Sequence, residues 1–90
     1  MRKVTAQILK AFNEGKCKTV GNTFCTQDAV YLHGNKIVKR ENGKVFISIR
    51  GWNTQVTRER LNAFTNKRVS TKNWQLTLDG QPWDGDWTEA

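Results

Sequence analysis

Asn42-Gly43 sits between two runs of β-forming residues, and no other feature of the chain restricts its fold as strongly. An Asn-Gly pair supplies the two positive φ angles of a type I′ turn, whose twist matches that of an antiparallel hairpin. Lys36-Ile37-Val38-Lys39-Arg40 leads into it, and Lys44-Val45-Phe46-Ile47-Ser48-Ile49-Arg50 leaves it with apolar and polar residues alternating. Upstream, Gly34-Asn35 follows Ala29-Val30-Tyr31-Leu32-His33, a second two-residue signal with glycine first, which suits a type II′ turn. The two turns predict an antiparallel β-meander over residues 29–50 and set its register. His33 then faces Lys36, Leu32 faces Ile37 and Tyr31 faces Val38. Beyond the second turn Glu41 faces Lys44, Arg40 faces Val45 and Val38 faces Ile47. Tyr31, Val38, Val45, Ile47 and Ile49 share one face, and Val30, Leu32, Ile37 and Phe46 share the other. A sheet apolar on both faces needs cover on both, which leaves room for a homodimer that buries the excess.

Elements on either side can supply that cover. Val4, Ile8, Leu9 and Phe12 recur at helical spacing, and Gly15 suits the position just past a helix end, predicting a helix over about 4–14. Residues 16–22 are polar, with Gly21-Asn22 as a turn, so any strand there is short. Asn53 or Thr54 can cap a second helix over about 54–64, with Val56, Leu61 and Phe64 as its buried candidates. Trp74-Gln75-Leu76-Thr77-Leu78 alternates and runs into Asp79-Gly80, another type I′ signal, and Pro82 makes the returning strand an edge. The expected architecture is one α+β domain over residues 1–90: an antiparallel β-meander, two short helices, and an acidic, Trp-rich C-terminal hairpin over about 74–90 that extends or caps the sheet. Ninety residues leave space for one modest core, and no apolar run is long enough to span a membrane. The basic start is followed by no apolar stretch of the kind that directs export.

The formal charge of +7 divides unevenly. All fifteen Lys and Arg lie between Arg2 and Lys72, with only Glu14, Asp28, Glu41 and Glu59 against them, so that stretch carries +11. Residues 73–90 hold Asp79, Asp84, Asp86 and Glu89 and no base, and carry −4. A basic body raises the encounter rate with polyanions and loses that advantage as salt screens it. The same charges also serve simply as a solvated surface. The acidic tail is expected to dock on the body, which would occupy part of the positive field.

No residue pattern points to catalysis, a metal or a cofactor. Cys17, Cys25 and His33 are eight residues apart, and with Asp28 they match no zinc-ligand spacing. A Cys25–His33 nucleophile pair oriented by Asp28 lacks any supporting turn motif. Two reduced thiols is the plainer reading, and His33 beside a turn reads as exposed. No glycine frame cradles a phosphate, and the close carboxylates Asp84, Asp86 and Glu89 fall in the tail. The chain is expected not to be an enzyme and to need no cofactor.

Nucleic acid is the first candidate partner. Lys36, Lys39, Arg40, Lys44 and Arg50 lie on the meander among Tyr31, Phe46 and Trp52, resembling sheets that hold single strands by stacking and phosphate contacts. In the register above, Lys36 and Arg40 share the face of Tyr31, whereas Lys39 and Arg50 share that of Phe46. The same aromatics are core candidates in so small a domain. Arg58, Arg60, Lys67, Arg68 and Lys72 form a second basic group, although Arg58 and Arg60 point about 200° apart on a helix. The second candidate partner is another protein, met through Trp74, Trp83 and Trp87, since Trp is favoured at interface centres. The three can equally close the protein's own sheet edge.

The strings Lys18-Thr19-Val20-Gly21-Asn22-Thr23, Tyr31-Leu32-His33-Gly34-Asn35-Lys36-Ile37, Gly51-Trp52-Asn53-Thr54 and Thr57-Arg58-Glu59-Arg60-Leu61-Asn62 resemble a family of small hypothetical proteins of tailed bacteriophages. The closing Leu78-Asp79-Gly80-Gln81-Pro82-Trp83-Asp84-Gly85 resembles the ends of some members, so the likeness spans roughly residues 4–90; Cys17 and Cys25 fall outside it. The family carries no assigned activity. The resemblance implies a phage source and action in the host cytoplasm. Two functions follow as expectations. One is a non-enzymatic accessory protein binding DNA or RNA through its basic body. The other is a counter-defence or host-takeover protein that inhibits a host protein by direct binding. Neither involves a membrane.

Overall fold

A computed structural model describes residues 3–49 and 54–90. Two helices and nine antiparallel strands in two sheets make a mixed α+β fold that is mostly sheet. Helix α1 (Lys3–Asn13) buries Thr5, Ile8, Ala11 and Phe12. It ends where Gly15, at φ +70°, turns the chain, with the Gly15 N–H on the Phe12 carbonyl (3.1 Å) and the Lys16 N–H on that of Ala11 (2.9 Å). This pairing satisfies carbonyls that the helix itself leaves open.

Five strands follow in chain order, each antiparallel to the last: β1 (Lys18–Val20), β2 (Thr23–Cys25), β3 (Ala29–Leu32), β4 (Asn35–Glu41) and β5 (Lys44–Ile47). After helix α2 (Gln55–Asn62) come β6 (Val69–Lys72), β7 (Gln75–Leu78) and β8 (Gln81–Pro82), a separate three-stranded sheet with Pro82 on its outer strand. The last strand, β9 (Thr88–Glu89), returns to pair with β5 and completes the large sheet as β1-β2-β3-β4-β5-β9. The expected C-terminal hairpin is thus corrected. Its 75–82 part pairs with residues 69–72, which the polar sequence hid, and only residues 88–89 extend the large sheet.

The Asn42-Gly43 turn holds the predicted register, with Glu41 opposite Lys44, Arg40 opposite Val45 and Val38 opposite Ile47. The other turn does not. His33 (φ 51°) and Gly34 (φ 81°) form it, so Leu32 faces Asn35 and Tyr31 faces Lys36. A bulge then takes back half of the two-residue shift, leaving Val38 opposite Val30 where the expected register puts Tyr31. The physical reason lies in Ile37-Val38. Strict alternation would send one of two adjacent β-branched residues to solvent, whereas a bulge leaves an unpaired extra residue, Ile37, and both are buried at 1% or less exposure.

One face of the large sheet meets the helices. Cys25, Val30, Val38 and Ile47 form a row across four strands on that face, packed with Ile8, Phe12, Leu32 and Leu61. Val69 and Leu76 from the small sheet, and Trp83 just after it, join the same core. Each such side chain contributes roughly 1.5–3 kcal/mol on burial. Thr54 caps α2, its Oγ1 accepting the Thr57 N–H at 3.2 Å. Val56 and Phe64 are only half-buried, while Thr57 and Arg60 are buried in their place.

Candidate nucleic-acid interface

The bulge decides which side chains meet on the face turned away from the helices. Lys36 and Lys39 are three apart and would oppose one another in a regular strand. With Ile37 and Val38 both turned inward, Lys36 and Lys39 emerge on the same outer face. Lys36 lies across from Tyr31, which lies across from Phe24; Lys39 lies across from Phe46, which lies across from Glu89. Phe24 and Tyr31 stack at 4.6 Å between centroids, and the Lys36 Nζ lies 5.7 Å from the Tyr31 ring. The Lys39 Nζ is 5.7 Å from the Phe46 ring and 4.6 Å from that of Trp87, and it pairs with Glu41 at 3.6 Å. Lys44, exposed beside the turn, alternates onto this face with Phe46. Four half-buried aromatics, Phe24, Tyr31, Phe46 and Trp87, thus share a surface with three lysines. Such ammonium–ring contacts are worth about 0.5–1 kcal/mol at exposed sites. Phe24 escaped the sequence reading; its place between Thr23 and Cys25, both buried, is the alternation that marks it as outward-facing.

Other expected contacts lie elsewhere. Arg40 shares the inner face with Val38, as expected, but the bulge takes Tyr31 and Lys36 off that face, so the expected grouping of Arg40 with them is corrected. Its Nη2 and Nη1 each donate at 2.9 Å to the Phe12 and Gln27 carbonyls, and its guanidinium lies 4.1 Å from the centre of the Phe12 ring. There it joins β4 to the C-terminus of α1, where a cation is favoured. Arg60 is corrected as well: at 3% exposure it is interior. It donates to Thr23 Oγ1 (3.2 Å) and Thr5 Oγ1 (2.6 Å) and pairs with Glu59, which also accepts from Thr5 Oγ1 (2.6 Å). This network ties α2 to α1 and β2. Trp83, 8% exposed, is core rather than a partner surface, its indole N–H donating to Thr88 Oγ1 at 3.1 Å. Arg50 and Trp52 lie outside the described residues.

Arg58 and Arg68 converge on a groove of about 480 Å³ between α2 and β6, with Gln55, Glu59, Asn62 and Ser70 among its walls. Asn62 fixes its floor by exchanging two hydrogen bonds with the Val69 backbone, at 2.8 and 2.9 Å. Lys67 turns to the tail and donates to the Glu89 carbonyl at 3.1 Å. Lys72 and Trp74 stand exposed at the end of the β6–β7 hairpin. The tail does return to the body, but among the described residues the ion pairs join Lys16 to Glu14, Lys39 to Glu41 and Arg60 to Glu59, and none reaches a tail acid. Backbone pairing and Trp83 hold it instead, with the Ala90 N–H on the Val45 carbonyl at 2.8 Å and the Ile49 N–H on that of Gly85 at 3.0 Å. Among the described residues the lysine of the outer face that forms an ion pair is Lys39, with Glu41.

Cys25 is buried and Cys17 exposed, both as free thiols. Among the described residues no three His, Cys, Asp or Glu converge as metal ligands, and no helix is long and apolar enough to cross a membrane.

These features define a small, mixed α+β protein with a sheet face that bears lysines and half-buried aromatic rings, and the sequence comparison gives its class as a phage protein. The chain belongs to the Kyanoviridae Gp96 protein family, whose profile matches residues 1–89. No curated protein and no solved structure matches it.

Proposed function

We propose that this phage protein binds nucleic acid inside the infected host cell, as a non-enzymatic module that lays a single strand across the open face of the large sheet. The observation that carries this reading is the bulge at Ile37, which turns Lys36 and Lys39 to the side that bears Tyr31 and Phe46. Aromatic rings on a sheet stack bases without reading their sequence, and flanking ammonium groups take phosphates. The helices cover the opposite face, so nothing in the described core competes for these rings. DNA and RNA share the chemistry that such a face recognises.

The test is titration of labelled single- and double-stranded 15-mers at two salt concentrations. Tight single-strand binding that weakens with salt is the expected result, since each neutralised phosphate adds roughly 0.7 to the slope of log K against log salt. The double variant Tyr31→Ala, Phe46→Ala should lose affinity on the order of tenfold or more while staying folded, because a stacked base is worth about 1–3 kcal/mol. No binding at low salt would overturn the proposal, as would full affinity in the double variant.

A further inference from the structure

The tip of the β6–β7 hairpin is built against local preference. Lys72 pairs with Gln75, so Asn73 and Trp74 form a two-residue turn at φ 50° and 69°. Asn suits the first place of such a turn, and glycine is the usual residue at the second. A bulky side chain at positive φ is strained, because its Cβ crowds the following carbonyl. No packing offsets that strain, because Trp74 is 99% exposed, and it is the sole large apolar side chain so exposed among the described residues. A residue held in a disfavoured conformation with no contact to its own protein is best explained by a contact to something else. Its surroundings limit what that is. From Arg60 to Leu78 the chain carries Lys67, Arg68 and Lys72 besides Arg60 and has no acid. The α2–β6 groove, bearing Arg58 and Arg68, lies along one of the two strands that lead to the tip.

We propose that this hairpin is a second nucleic-acid contact, in which Trp74 stacks on an unpaired base while Lys72 and the Arg58–Arg68 groove receive the adjoining phosphates. The inference rests on the reading that the protein binds nucleic acid, but it uses residues separate from the sheet face. An indole offers the largest stacking surface of any side chain, and a two-residue turn presents it with little freedom to lose on binding.

The decisive variant is Trp74→Gly, which removes the ring and relieves the turn. Its thermal midpoint should equal or exceed that of the wild type, and its dissociation constant for a single-stranded 15-mer should rise at least about fivefold. Trp74→Phe, which keeps a ring, should recover most of the affinity. Lys72→Ala should lower the salt slope by about 0.7. Unchanged affinity in Trp74→Gly overturns this inference, and if Tyr31→Ala, Phe46→Ala still binds weakly the sheet-face reading stands. Loss in Trp74→Gly alone supports the hairpin and removes the sheet face. A wild type that binds no oligonucleotide removes both. Capture of a host protein that depends on Trp74, with oligonucleotide binding unaltered, assigns the tip to a protein partner and overturns the inference.

Discussion

Phe24 and Tyr31 lie directly opposite one another on β2 and β3, their rings 4.6 Å apart and 9° from parallel. They are half-buried, so each ring keeps part of its surface for another flat group. A cross-strand aromatic pair contributes roughly 0.2–1 kcal/mol, far less than a core side chain. Tyr31→Ala should therefore lower the unfolding free energy by only about 1 kcal/mol in urea denaturation. Tyr31→Phe should be close to neutral, because no hydrogen bond of the tyrosine hydroxyl contributes to the stack. A loss of several kcal/mol in Tyr31→Ala would mean that the ring belongs to the core and not to an open face.

Arg60 and Glu59 make the opposite case, a charge pair inside the protein. Arg60 is 3% exposed and reaches Thr5 and Thr23 as well as Glu59, so its donors serve three elements. Removing the acid leaves a buried guanidinium without its counter-charge, which typically costs about 3–5 kcal/mol. Glu59→Ala should destabilise by an amount near the low end of that range, since Glu59 keeps some solvent contact. The double variant Glu59→Ala, Arg60→Met should be less destabilised than the sum of the single changes, by more than about 1 kcal/mol. Additive losses in a double-mutant cycle would count against the network.

Turn chemistry explains how far the fold could be read from residues alone. Asn42-Gly43 and Asp79-Gly80 were legible because the turn type needs positive φ at both places, and both hairpins have the expected register. The α1 boundary was legible through Gly15 and the Thr54 cap through its hydroxyl. Gly34-Asn35 misled by one residue, since His33 adopts positive φ, and the bulge at Ile37 takes back only half of the resulting shift. That slip parts Tyr31 and Lys36 from Val38 and Arg40, with which the expected register groups them, and sets them on the face of Lys39 and Phe46 instead. β6 was hidden because its residues 70–72 are polar and its single buried side chain is Val69. The burial of Arg60 was hidden because its partners, Thr5 and Thr23, are distant in the chain.

Gly85 carries the attachment of the tail. At φ +83° its carbonyl accepts from the Ser48 hydroxyl (2.7 Å) and the Ile49 N–H (3.0 Å). A Cβ at this position would fall 2.5 Å from Ile49 Cγ1 and 2.8 Å from Cδ1. Ile49 is itself buried, so it has little space into which to withdraw. Gly85→Ala therefore combines a disfavoured backbone with overpacking, each worth about 1–3 kcal/mol. The expected result is a loss of 2 kcal/mol or more, on the order of the summed effects. Amide exchange should quicken at Thr88–Ala90, where β9 leaves β5. Normal protection of the Ala90 amide in the variant would show that the tail is held independently of Gly85.

The two thiols should differ in reactivity and in their effect on stability. Cys17 is exposed, whereas Cys25 is 2% exposed with its Sγ donating to the Lys16 carbonyl at 3.4 Å. Burial pushes the Cys25 thiol above its ordinary pKa, more than the nearby Lys18 amide and ammonium pull it down. A disulfide-exchange reagent at pH 8 should label one thiol per chain promptly, and the second only as the protein opens. Because the folded thiol ionises at higher pH than the unfolded one, the unfolded chain releases its proton first as pH rises. The contribution of Cys25 is therefore complete below the unfolded thiol's pKa and declines as pH climbs through the folded value. The difference in unfolding free energy between wild type and Cys25→Ala should shrink from pH 7 to pH 10. A difference that stays constant across that interval would show that Cys25 ionises alike in both states.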